Sequence, residues 1–209
     1  MNIEFQDISK TKPYAQSVEK KFNNYIWMLA FVIASISILF LALTLTYLFS
    51  KNWSAQSIQL SIPPIFYVDT FILLMGSISL IMASRAFKND NANLYKIWLY
   101  ASLLFGISFL MGQLGGWFAL AQTGFGLTES RSGAFLYVIS GMHALHIIGG
   151  IVFLTIIFYN ATKRLKDPAL SVIYFSDPLP KARLRLANYY WHFLGGLWLY
   201  LLVFFAIVK

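Results

Sequence analysis

The chain has 209 residues, a formal net charge of +8 and no cysteine. Hydrophobic residues make up 58% of it and charged residues only 11%, whereas about 25% of the residues of a soluble domain are charged. This composition excludes an ordinary soluble protein, and the absence of cysteine excludes disulfides, iron–sulfur clusters and thiolate metal sites.

Five apolar runs are long enough to cross a bilayer, which takes roughly 20 residues in a helix. The runs are continuous rather than alternating, which favours helices over a β-barrel. The sequence therefore predicts an all-α integral membrane protein, a single bundle at residues 25–209 behind a cytoplasmic tail at residues 1–24. The predicted spans are Tyr25–Phe49, Ile65–Ser84, Tyr95–Ala121, Gly133–Tyr159 and Ala187–Val208.

The basic residues predict the orientation of the bundle. Of the 16 lysines and arginines, all but Lys51, Arg131 and Lys209 lie in the N-terminal tail, the second connection or the fourth connection. The positive-inside rule then places the N-terminus in the cytoplasm and the C-terminus outside, in the periplasm of a bacterium. Because these charges flank helix ends, they predict contact with anionic lipid headgroups rather than with nucleic acid.

Three histidines lie within the spans. His143 and His146 are three residues apart in the fourth span, so they share a helix face, and His192 lies about one turn into the fifth. No glutamate accompanies them in any span, as a di-iron bundle would require. Hydrogen-bonded packing or lipid contact is the favoured role, and metal ligation is the alternative.

Other side chains have simpler predicted roles. Asp69 lies near the start of the second span, so we expect headgroups to solvate it, with a proton or ion role as the alternative. Gln113 is predicted to make an interhelical hydrogen bond. Gly112 and Gly116 mark an expected close helix contact. Trp191 belongs to an aromatic group at the start of the fifth span that is typical of an interfacial belt.

These residues resemble subunit III of the haem–copper oxidases in its five-helix bacterial form. Residues 140–150 are similar to the family's G-x-H-x-x-H-x-x-x-G helix, and Tyr190-Trp191-His192-Phe193 with Trp198-Leu199 resembles its Y-W-H-F-x-x-x-x-W-L signature. Gly106, Phe109 and Gln113 match its third-span pattern G-x-x-F-x-x-x-Q. The resemblance extends from about Asn24 to the C-terminus.

The resemblance implies a subunit with no catalytic residue, haem or copper of its own. It implies a multi-pass protein of the bacterial inner membrane that stabilises catalytic subunit I and holds structural phospholipid. Partners would be subunits I and II, with subunit IV a further candidate, and cytochrome c or a cytochrome c-bearing complex would supply electrons for proton-pumping O2 reduction in aerobic respiration. The structural and lipid-binding candidates are His143, His146, His192, Trp191, Gln113, Lys163, Arg164, Lys181, Arg183 and Arg185.

The sequence also departs from the family pattern. Ile36 and Gly116 stand where acidic residues are usual, so a role in proton uptake is not implied. Two alternatives remain at this stage. One is subunit III of a quinol oxidase, or the related protein associated with nitric oxide reductase. The other is a small membrane transporter, which the scarcity of acidic residues in the spans disfavours.

Overall fold

The computed structural model describes residues 11–52, 63–122 and 131–208, whose regular elements are all helices. Five of them are long and apolar enough to cross a membrane, which confirms the predicted all-α organisation. The helices are α1 (Thr11–Asn52), α2 (Ile65–Lys88), α3 (Ala92–Gln122), α4 (Arg131–Arg164), α5 (Pro168–Ser176) and α6 (Pro178–Ile207).

Part of the predicted N-terminal tail and most of one predicted connection prove to be helical. Helix α1 already begins at Thr11, so much of the predicted tail continues the first span, while residues 1–10 lie outside the described part of the chain. The connection Asn160–Leu186 is not a loop, because it holds the end of α4, all of α5 and the start of α6. Its prolines are compatible with helices, because Pro168 and Pro178 stand at helix starts, where a missing N–H costs nothing.

Helices α2 and α3 form a tight hairpin. They are joined by residues 89–91, where Asp90 takes a left-handed conformation with φ of 52°. The side chain of Asn91 then accepts a hydrogen bond from the backbone N–H of Leu94 and stabilises the first turn of α3. Helix α6 packs against this hairpin through α2 and also contacts α1, α4 and α5.

Glycines on α3 let α2 approach closely. A methyl group on Gly112 would overlap the carboxyl group of Asp69, and one on Gly116 would overlap the ring of Phe66. Glycine at both positions leaves room for these α2 side chains, as expected for small residues at membrane helix contacts. The predicted role of the Gly112 and Gly116 pair is therefore confirmed.

Helix α5 closes one end of the bundle, called here the α5 end. An aromatic cluster of Phe87, Tyr95, Tyr174 and Phe175 joins α5 to the end of α2 and the start of α3, with the rings of Phe87 and Phe175 5.1 Å apart. Burial raises the pKa of the Tyr174 hydroxyl above its ordinary value, although Arg164 and Arg183 nearby oppose the shift. Val172 and Ile173 of α5 remain exposed.

Helix α1 is attached mainly to α4 and α6. Thr44 and Tyr200 share a hydrogen bond of 3.0 Å between their hydroxyl groups. The ring of Tyr47 packs edge-on against Phe204 of α6 and Phe135 of α4. Much of the remaining α1 surface is apolar and exposed.

Candidate functional site

Trp191 lies in the centre of the bundle. Its side chain is 2% exposed and packs against glycines from three helices, Gly76 of α2, Gly106 of α3 and Gly150 of α4. The prediction that Trp191 belongs to an interfacial belt is therefore wrong. Glycine at these three positions leaves room for the indole between the helices.

His143 is fully buried at 0% exposure. Its ring stacks on Trp198 at 5.3 Å and meets the edges of Phe40 and Phe109. Neither ring nitrogen has a hydrogen-bond partner, so the favoured prediction of packing holds for this residue but its hydrogen-bonded form is wrong. The imidazole behaves as an aromatic ring that joins α1, α3 and α6 to α4.

The other two histidines lie nearer the surface of the bundle. Nδ1 of His146 is 2.6 Å from the carbonyl oxygen of Met142, and its ring packs against Phe40. Helix α6 reaches this turn through the Tyr190 hydroxyl, which donates to the His146 carbonyl. His192 lines an apolar groove of about 440 Å³ between α2 and α6.

Gln113 makes the predicted interhelical hydrogen bond. Its amide nitrogen Nε2 donates to Oδ2 of Asp69 over 2.8 Å, which ties α3 to α2. Asp69 is 0% exposed, so the expectation that headgroups solvate it is wrong. The carboxyl group turns inward because Gly112 leaves space for it.

Apolar packing occupies the two positions where the family usually has an acidic residue. Ile36 is buried in the core. At Gly116, the ring of Phe66 fills the space that a side chain would need. A carboxyl group in place of Gly116 would therefore displace the α2–α3 contact.

Two neighbouring cavities lie at the α5 end, and Arg164 and Arg183 are the basic candidates that line them. One is an apolar cleft of about 510 Å³ between α1, α4 and α6. The other is a smaller, mainly polar cavity of about 290 Å³, lined by Asn160, Arg164, Tyr174 and Asp177 among others. Arg183 lines both cavities.

The remaining basic candidates line neither cavity. Lys163 and Lys181 are exposed, and the guanidinium group of Arg185 lies 5.3 Å from the ring centre of Phe22. Phe22 lines the apolar cleft, so Arg185 borders the cleft through that ring. Neutralising Arg183 should therefore affect both cavities. Neutralising Lys163 or Lys181 should only lower the positive charge of the surface around them.

Sequence reasoning missed several residues of this region. Tyr174 and Asp177 were not singled out, although the order Asp177-Pro178 is a recognisable start of a helix. In the opposite half of α4, the indole N–H of Trp117 donates to the Ser140 hydroxyl over 2.9 Å. That bond could not be predicted, because its partners are on different helices.

Within the described ranges, no three histidine, aspartate or glutamate side chains are grouped as ligands of a metal ion. The buried polar and aromatic side chains instead join the helices of the bundle to one another. Fold and site together define a multi-pass helical membrane protein with a densely packed aromatic interior.

The family follows from a comparison with known proteins. The model of the family "Cytochrome c oxidase subunit III" matches residues 11–208, and the chain belongs to this family. The resemblance drawn from the two histidine motifs is thereby confirmed.

The curated relatives carry two kinds of name. Cytochrome bo(3) ubiquinol oxidase subunit 3 of Buchnera aphidicola subsp. Baizongia pistaciae is 28% identical over 138 residues, which are 66% of this chain and 66% of that protein. The corresponding protein of Buchnera aphidicola subsp. Schizaphis graminum is 24% identical over 187 residues, 87% of this chain and 93% of that protein. Cytochrome c oxidase subunit 3 of Corynebacterium diphtheriae is 23% identical over 152 residues, 73% of this chain and 69% of that protein.

Proposed function

We propose that this oxidase subunit III is a scaffold and a holder of phospholipid, and that the redox centres belong to its partners. It stabilises catalytic subunit I of a proton-pumping, O2-reducing complex with subunits I and II, and subunit IV is a further candidate partner. The described polar groups in its interior support a scaffold role, since Gln113 and Asp69, or Trp117 and Ser140, connect one helix to another.

The orientation follows from charge. The α5 end carries Lys88, Lys163, Arg164 and Arg183, among other basic residues. Under the positive-inside rule this end faces the cytoplasm of a bacterium, and the chain ends in the periplasm. Both cavities that Arg183 lines then lie at the depth of the cytoplasmic headgroups and the adjoining acyl chains.

The two adjacent cavities are the observation that carries the lipid-binding role. A phospholipid has an anionic headgroup and apolar chains, and a polar cavity with two arginines lies beside an apolar cleft. The guanidinium groups of Arg164 and Arg183 present the fork geometry that binds phosphate. Both arginine side chains are exposed, so a headgroup can reach them.

Native mass spectrometry of the purified complex tests the lipid role. The variant Arg164→Gln/Arg183→Gln should lose bound phospholipid and inactivate sooner during turnover, while its first turnovers keep the wild-type rate. The matched control Lys88→Gln/Lys166→Gln removes two exposed charges from the same end of the bundle. If the two variants bind equal amounts of phospholipid, the basic residues at the α5 end only determine the orientation of the bundle in the membrane.

The electron donor has two candidates, because the relatives are named for cytochrome c and for ubiquinol. Cytochrome c is our first proposal, and quinol is the second. Purification through a tag on this chain should recover subunits that contain haem and copper. Oxidation of reduced cytochrome c or of ubiquinol by that preparation then decides the donor, and a preparation without haem would reject the oxidase role.

The non-catalytic role has a separate test. The polypeptide purified apart from its partners should contain no stoichiometric haem or copper, because cysteine is absent and the three histidines are scattered. Absorption spectra and elemental analysis provide the measurement. One bound haem or copper ion per chain would show that the subunit has a redox centre of its own.

A further inference from the structure

Asp69 and Gln113 share one hydrogen bond, although a carboxylic acid and an amide can form two with each other. Both side chains are buried, at 0% and 1% exposure. Nε2 of Gln113 donates to Oδ2 of Asp69, but Oδ1 of Asp69 and Oε1 of Gln113 have no partner. If Asp69 were a carboxylate, both unpartnered atoms would be acceptors, so neither could satisfy the other.

Nothing in the described surroundings compensates a negative charge on Asp69. Its recorded side-chain bond is to the neutral amide of Gln113. The adjacent Thr70 hydroxyl is occupied, because it donates to the Phe66 carbonyl and accepts from the indole of Trp198. The basic residues of α2 are in its last turn, and the nearer one, Arg85, is about 24 Å along the helix from Asp69 at 1.5 Å per residue.

The neighbouring helices carry histidines, tyrosines and basic residues, and none of these makes a described bond with Asp69. His143 of α4 stacks on Trp198, and His192 of α6 lines the groove that also contains Thr70. No described ion pair connects either histidine to Asp69. An unpaired carboxylate in such a place is costly, and a buried group of this kind takes up a proton instead.

Tight packing on one side of Asp69 disfavours a water bridge to Oδ1. Oδ1 lies against α3 where a methyl group on Gly112 would overlap it. A proton needs no such space, and one proton on Oδ1 would give Oε1 of Gln113 its missing donor.

We propose that Asp69 is a protonation site, which holds one proton that it shares with Gln113. The Gln113 amide donates to Oδ2, and the carboxylic O–H at Oδ1 donates back to Oε1. The two side chains thus form an uncharged pair with two hydrogen bonds that locks α2 to α3 within the membrane. The proton is a fixed part of the fold.

Infrared difference spectroscopy tests the proposal on the full chain, purified with the subunits that accompany it and reconstituted in lipid at neutral pH. Asp69→Asn should remove the carbonyl band of a protonated carboxylic acid and leave the carboxylate bands intact. The control Asp90→Asn changes an exposed aspartate in the same hairpin and should remove carboxylate bands. Loss of carboxylate bands in Asp69→Asn would overturn the proposal.

A second variant keeps the test independent of how well Asp69→Asn assembles. Gln113→Leu removes both partners of the carboxyl group, so the acid band of wild type should shift to the position of an unbonded carbonyl. An unchanged acid band in Gln113→Leu would contradict the shared proton. Asp69→Asn should also keep the wild-type melting temperature, because two amides can exchange two hydrogen bonds, whereas Asp69→Leu should lower it.

Discussion

Cη2 of Trp191 lies 2.7 Å from the position that a Cβ atom on Gly106 would occupy. The indole of α6 therefore reaches the backbone of α3 directly, and Ile151 of α4 bounds the same site at 3.1 Å. An indole in this place fixes the distance between three helices at once. Even one added methyl group cannot be accommodated without moving a rigid ring.

Gly106→Ala should therefore destabilise the bundle. Overpacking of this kind costs about 1–3 kcal/mol, and Trp191 cannot yield because glycines of three helices enclose it. The thermal midpoint of the purified protein in detergent provides the measurement. Gly196→Ala is the matched control, since nothing lies within 4 Å of its added methyl group, and an equal loss in both variants would contradict the role of Trp191.

Replacing His143 by leucine should be tolerated far better than replacing it by alanine. The imidazole makes no described hydrogen bond, so an apolar side chain of similar volume loses only ring contacts, at a cost of less than about 1.5 kcal/mol. Alanine leaves a cavity that costs about 2–5 kcal/mol. Stability and turnover per haem should be measured in both variants.

Turnover per haem should remain at the wild-type value in every His143 complex that assembles. A normal, stable complex with abolished initial turnover would instead make His143 part of the reaction. Equal instability of the leucine and alanine variants would point to a polar contact of the imidazole.

Asp177→Ala should weaken the start of α6. The carboxylate accepts a hydrogen bond from the Leu179 backbone N–H over 3.0 Å, and loss of such a cap costs about 0.5–2 kcal/mol. Asp167→Ala is a close control, because Asp167 precedes α5 in the same way but makes no side-chain cap bond. Thermal midpoints that fall equally in the two variants would contradict the capping role.

The pH dependence of stability should contain a contribution from Tyr174. Burial raises the pKa of its hydroxyl, so the folded state favours the neutral form more than the unfolded state does. This contribution is fully present below the ordinary pKa of tyrosine and is lost as the pH rises through the raised value. Tyr174→Phe should therefore lose less stability on going to alkaline pH, and superimposable profiles of wild type and variant would contradict this.

The sequence predicted the spans well, because length and apolar composition alone decide whether a helix can cross a bilayer. It also predicted that Gln113 bonds another helix, since an amide in lipid requires a partner. The prediction for Asp69 was wrong because its position in the sequence indicates how deep it lies in the membrane, but not whether its side chain faces lipid or the bundle. Its inward orientation depends on Gly112, a residue of another helix.

The errors at Trp191 and in the connection Asn160–Leu186 have different causes. A tryptophan near a predicted span end is usually interfacial, and only the coincidence of glycines from α2, α3 and α4 buries Trp191. The connection was predicted as a loop because it lies outside the apolar runs from which the spans were assigned. Proline permits a helix to begin, and Asp177 before Pro178 completes the signal.

The position of α1 has a consequence for the order in which the chain is assembled. A ribosome delivers α1 before its main partners, α4 and α6, which follow it in the chain. Until they arrive, Thr44 has no Tyr200 hydroxyl to bond and Tyr47 has no Phe204 ring to contact. The hairpin of α2 and α3 can meanwhile close over residues 89–91, so α1 remains without these contacts until α4 and α6 are made.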